Sequence, residues 1–66
     1  RATRLEIHDV AGRRVLGRDL GVLPAGVTRW DWDGRDSEGR RVAAGLYLAR
    51  LTAGNTAITR RLVLLP

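Results

Sequence analysis

The sequence predicts an all-β fold of short antiparallel strands, a sandwich or a barrel, and three observations point to it. Eight glycines punctuate the 66 residues at fairly even intervals, and the segments between them are short and rich in Leu, Val, Ile, Thr and Trp. Where a segment is long enough to show a period, the period is two, as a strand with one buried and one wet face requires. No apolar repeat of 3.6 residues survives beyond a turn, and each glycine would cost a helix about 1 kcal/mol. Helix content is expected to be close to nil.

The first strand covers Thr3 to Asp9, with Leu5 and Ile7 alternating against Glu6 and His8. Asp9-Val10-Ala11-Gly12 then places Asp at the first position of a type I turn and Gly at the left-handed position of a bulged hairpin. A return strand follows from Arg13 to Asp19. Leu23-Pro24-Ala25-Gly26 is a connection, because proline lacks a ladder donor and glycine marks a bend. Val27 to Asp33 resumes the period of two, with Thr28, Trp30 and Trp32 on one side and Arg29, Asp31 and Asp33 on the other.

After Gly34, Asp36-Ser37-Glu38-Gly39 repeats the Asp-x-x-Gly turn, and both copies run on into Arg-Arg-Val, at Arg13 to Val15 and Arg40 to Val42. The likeness ends there, so two strands starting after one turn type is a simpler account than a duplicated unit. Gly45 opens the strand Leu46 to Ala53, Gly54-Asn55 is a two-residue hairpin loop, and Thr56 to Leu65 closes the chain. The expected count is five substantial strands and a short one near Val42. The expected core is Leu5, Ile7, Val15, Trp30, Trp32, Tyr47 and Leu51, and the expected turn residues are Asp9, Gly12, Asp33, Gly34, Asp36, Gly39, Gly45 and Gly54.

Length and composition bound what such a fold can be. Residues 1–66 make one small domain, and a chain of this size buries only about 60 % of the surface that its unfolded form exposes. Without cysteine it has no disulfide and no thiolate zinc site. Its longest apolar run, Leu62 to Pro66, is far short of the roughly 20 residues of a membrane-spanning helix, so no transmembrane segment is expected. No signal-peptide pattern opens the chain and Arg1 stands where an initiator methionine would. A piece of a longer polypeptide is the expectation.

The candidate chemistry is thin. With one histidine, His8, one serine, Ser37, and no cysteine, a nucleophile, base and orienting group cannot be assembled. His8 belongs to the wet side of its strand. The acidic stretch Asp31 to Gly39 invites a calcium reading, but an EF-hand wants glycine at its sixth position and a closing glutamate. Here Gly34 is fourth and Arg35 falls on a ligand position, so Asp33 and Asp36 read as turn residues whose carboxylates accept backbone N–H groups. No metal and no cofactor is expected.

All twelve basic residues are arginine and the net charge is +5. They are spread through every strand and turn with acids among them, and only three aromatics accompany them. A nucleic-acid reader gathers charge on one face and interleaves stacking rings. No specific nucleic-acid site is expected, only weak salt-governed attraction to polyanions.

Two strands are apolar on both faces. Tyr47, Ala49 and Leu51 oppose Leu46 and Leu48, and Leu62 and Leu64 oppose Val63 and Leu65. Strands of this kind are usually covered on both sides. Leu46, Leu48, Val63 and Leu65 therefore mark an interaction surface, covered by a missing strand, an upstream domain or a partner.

The order of Leu5-Glu6-Ile7-His8-Asp9-Val10-Ala11-Gly12-Arg13-Arg14-Val15, Leu23-Pro24-Ala25-Gly26, Trp32-Asp33-Gly34-Arg35-Asp36 with Gly39, Gly45-Leu46-Tyr47 and Arg60-Arg61-Leu62-Val63-Leu64-Leu65 resembles the immunoglobulin-like domain of the flagellar hook-capping FlgD family. The resemblance covers nearly the whole chain. It implies an immunoglobulin or fibronectin-III-like antiparallel β-sandwich, here lacking its first strand. Trp30 stands where the family has a smaller apolar residue.

Similar domains close many exported bacterial proteins, where they act in type IX sorting and surface attachment. The resemblance thus implies first a non-catalytic C-terminal module of a secreted or cell-surface protein, serving sorting, surface retention or interdomain docking. Its partners would be the upstream domain of the same chain and the secretion machinery or a cell-surface component. A structural subunit domain of a flagellar hook-cap-like assembly is the alternative, and weak polyanion or glycan binding a third.

Overall fold

The structure, a computed structural model, describes residues 2–23 and 30–66. Among them are four antiparallel strands and no helix: β1 (Ala2–Asp9), β2 (Arg14–Val22), β3 (Gly45–Ala53) and β4 (Thr56–Leu64). They form one sheet in the order β2-β1-β3-β4. The fold is all-β, as an immunoglobulin-like domain requires.

The two Asp-x-x-Gly turns are built alike, which explains their shared sequence. In the first, Gly12 N–H donates to the Asp9 carbonyl at 3.0 Å, while the Asp9 carboxylate accepts from Ala11 N–H at 3.0 Å and Arg13 N–H at 2.9 Å. In the second, Gly39 N–H donates to Asp36 at 3.0 Å, and the Asp36 carboxylate accepts from Glu38 at 2.9 Å and Arg40 at 3.0 Å. Gly12 and Gly39 sit at φ +87° and +81°, where a side chain would be strained. Asp33 does a smaller version of the same work, accepting from Arg35 N–H at 3.1 Å. The β3–β4 hairpin turns at Gly54-Asn55 with positive φ at Gly54 only, the pattern of a type II′ turn.

On the inner face of the sheet Ile7, Val15, Leu16 and Tyr47 form the buried cluster, and Leu5 is buried beside them on β1. Val15 and Leu16 are neighbours in sequence, so strict alternation would send one outward. A bulge prevents this: Ile7 pairs with Leu16 and His8 with Arg14, leaving Val15 as the extra residue of β2. Its carbonyl accepts the Ser37 N–H at 3.2 Å, which pins the second turn to β2.

Over this cluster lies the segment from residue 30 to residue 44, with Trp32 and Val42 packed down on it. Trp32 meets Tyr47 edge-on at 5.1 Å between ring centroids and donates its indole N–H to the Arg35 carbonyl at 2.9 Å. Tyr47 donates its hydroxyl to the Ala43 carbonyl at 2.6 Å, so both rings bury their bodies and satisfy their polar ends.

Several expectations are corrected here. The proposed strand from Val27 to Asp33 has no ladder over its described part, Trp30 to Asp33, while Val27 to Arg29 lie outside the described residues, as do Pro24, Ala25 and Gly26 of the connection. Near Val42 there is a single bridge, Arg35 to Arg41, rather than a strand. Trp30, assigned to the core, is 38 % exposed, because it lines the open inner cleft and only Trp32 packs on the buried cluster. The return strand β2 runs on to Val22, three residues past its expected end.

Gly34 is buried at φ +76°, and a Cβ there would stand 3.0 Å and 3.2 Å from the two terminal methyls of Leu64. Backbone strain and crowding act together, so Gly34→Ala is expected to lower stability by about 1–3 kcal/mol. Urea unfolding measures it. A loss below about 0.5 kcal/mol would mean that the site relaxes freely.

Candidate functional site

The residues expected to form an interaction surface fall on two places. Leu46 pairs with Val63 across β3 and β4 on the outer face of the sheet, and the two are 41 % and 70 % exposed. Leu48 lies beside them on the same face of β3, half-buried, and Leu65, 76 % exposed, follows the end of β4. β1 brings polar residues to this face, and Leu46, Leu48 and Val63 make an apolar patch beside them, with Arg50 and Arg61 on the same face of β3 and β4.

The inner face is also incompletely covered. Beyond Trp32 a cleft of about 250 Å³ opens between Leu5, Leu20, Leu51, Leu62 and Trp30, with Arg60 at its margin. Leu51, assigned to the core, is half-buried on this wall, while Leu5 beneath it is buried. Apolar surface thus remains on both faces of one sheet.

A charged cluster on the outer face of β1 and β2 centres on Glu6. Its carboxylate lies 3.3 Å from Arg4 Nε, 3.5 Å from Arg14 Nη1 and 3.7 Å from His8 Nε2, and Arg4 also reaches Asp19 at 2.8 Å. Burial alone pushes the Glu6 carboxyl up. The Arg4 hydrogen bond and charge, with His8 and Arg14, outweigh it and hold the group below its usual value of 4.5. A depressed carboxyl contributes stability that is present above the ordinary carboxylate pH and lost as pH falls through the folded value. The melting temperature is therefore expected to drop more for the parent than for Glu6→Gln between about pH 6 and about pH 3, by a few degrees at most for so wet a group. Parallel melting curves across that range would contradict the assignment.

Pairing divides the arginines in a way that the sequence does not show. Arg4, Arg13, Arg14, Arg35 and Arg40 all have carboxylate partners. Among the described residues Arg18 on β2, Arg41 in the covering segment, Arg50 on β3 and Arg60 and Arg61 on β4 form no ion pair, and only Arg60 and Arg61 are adjacent among these. No group of three or more His, Cys, Asp or Glu that could hold a metal occurs among the described residues. No helix is long and apolar enough to cross a membrane.

Comparison with known proteins adds what geometry cannot. The family model of the FlgD Ig-like domain matches residues 1–57. Curated relatives include the basal-body rod modification protein FlgD of Salmonella typhimurium and that of Salmonella typhi. Each is 41 % identical over 49 residues, which is 74 % of this chain and 21 % of the relative. The chain therefore spans about a fifth of the length of the curated relatives it matches. No solved structure matches it. These relatives overturn one expectation: their name places them with the rod of the flagellar basal body, and the reading of a secreted or cell-surface protein is withdrawn.

Proposed function

We propose that this chain, which belongs to the FlgD Ig-like domain family, is a non-catalytic structural domain of a flagellar hook-cap-like assembly. The family match supports this reading, together with relatives named for their action on the basal-body rod. Sorting and surface retention lose their footing with the corrected location.

The observation that carries a packing role is the exposed Leu46–Val63 pair. A structural domain in an assembly meets its neighbours through apolar surface, and an apolar patch bordered by charge has the layout of an interface with a polar rim. Leu65 extends the patch beyond the sheet. The single histidine and single serine of the chain suit such a role and offer no hydrolytic set.

The test uses the full-length protein that contains this chain, returned to a cell from which its gene has been deleted, with hooks counted by electron microscopy. The parent protein should restore hooks. Val63→Asp, at a position that is 70 % exposed and so tolerant of charge in the folded domain, should restore few. Normal hooks in the deleted cell would sink the assembly reading, and normal hooks with Val63→Asp would remove this patch from it.

A further inference from the structure

We propose that the free edge of β4 is a docking strand for an extended segment of a partner protein carrying two adjacent acidic residues between apolar ones. This goes beyond the assembly reading and stands on the sheet edge alone.

β4 lies last in the sheet and pairs with β3 on one side. Among the described residues nothing pairs with its other side, and Thr56 to Arg61 are all exposed. An edge of this kind offers a row of N–H and C=O groups that an extended chain can continue.

Side chains on β4 specify which chain. Leu62 pairs with the buried Tyr47, so Ile58, Arg60 and Leu62 share the inner face, and Thr59, Arg61 and Val63 share the outer one. Arg60 and Arg61 thus stand on opposite faces at consecutive positions. Neither meets a carboxylate among the described residues; Arg60 donates only to the neighbouring Thr59 carbonyl at 3.1 Å. Arg50, paired with Thr59 on β4 and with Glu6 on β1, adds a second arginine without an ion pair to the outer face.

A strand laid along this edge places its own residues directly opposite, alternating between the same two faces. The residues facing Arg60 and Arg61 are then neighbours in the partner's sequence, whichever way it runs. Apolar residues are wanted opposite Ile58, Leu62 and Val63. The partner therefore reads apolar, any, acid, acid, apolar, apolar in one direction or the other.

A second copy of this chain does not supply it. Antiparallel pairing of β4 with itself about its arginines would set like charges opposite each other. Nowhere in the 66 residues do two acids stand side by side. Charge at an edge can also serve only to prevent pairing, and that reading asks nothing of a partner's sign.

The experiment uses the full-length protein and three fluorescent peptides, followed by anisotropy at low salt. One carries two adjacent glutamates among valines in the pattern above, the second has lysines in their place, and the third is the glutamate peptide methylated on the backbone nitrogens of one edge. The glutamate peptide should bind about tenfold more tightly than the lysine peptide, as two cross-strand ion pairs allow. Methylation should abolish binding, because it removes the ladder. Reversing both charges in Arg60→Glu with Arg61→Glu should invert the preference. Equal binding of the two charge forms, binding of neither, or binding indifferent to methylation would overturn the proposal. Because the peptide swap is read on the unaltered protein, it decides the matter even if the double variant unfolds.

Discussion

Replacing Ile7 with alanine is expected to lower stability by about 2–5 kcal/mol, much of what a domain of this size possesses. Ile7 is 0 % exposed and is the one large side chain wholly buried among the described residues. It sits on β1, which is held by ladders to both β2 and β3, and packs in a cluster with Val15, Leu16 and Tyr47. A strand fixed on both sides cannot slide inward to close the void, so the cavity cost adds to the lost transfer energy. Leu65→Ala, at a site that is 76 % exposed, is the matched control and should change stability by less than about 0.5 kcal/mol. Urea unfolding of both variants measures the contrast. Similar small losses at the two sites would show that the core lies elsewhere.

β1 and the β3–β4 hairpin were legible because each carries its own signal: alternation at Leu5 and Ile7, and a Gly-Asn loop between two apolar runs. Turn chemistry was equally plain, since a carboxylate at Asp9 or Asp36 accepts two nearby N–H groups wherever the chain around it goes. Leu16 shows what local pattern misses. It is 2 % exposed, yet it follows Val15 directly, and only the register shift opposite Ile7 and His8 turns both inward. The division of the arginines is invisible for a related reason. Arg4 meets Asp19 across fifteen residues of sequence and Arg14 meets Glu6 across eight, through strand pairing that the sequence does not spell out. What remains on Arg60 and Arg61 appears only after those partners have been assigned.

The two tryptophans give the sharpest test of where sequence periodicity stops. Alternation treats Trp30 and Trp32 as equivalent, and the structure does not. Trp32 packs on the buried cluster, meets Tyr47 edge-on and ties its indole N–H to the Arg35 carbonyl at 2.9 Å. Trp30 lies at the rim of the inner cleft, 38 % exposed. Trp32→Ala is expected to cost about 3–5 kcal/mol, because it opens the layer over Tyr47 and leaves the Arg35 carbonyl without its donor. Trp30→Ala should cost about 1 kcal/mol, the part of its apolar surface that the cleft wall shields. Single and double variants, unfolded in urea, also report whether the two rings support one another: losses that add would place them in separate contacts. Equal losses from the two single variants would restore the strand that alternation implies, and with it a second layer over Leu51 and Leu62.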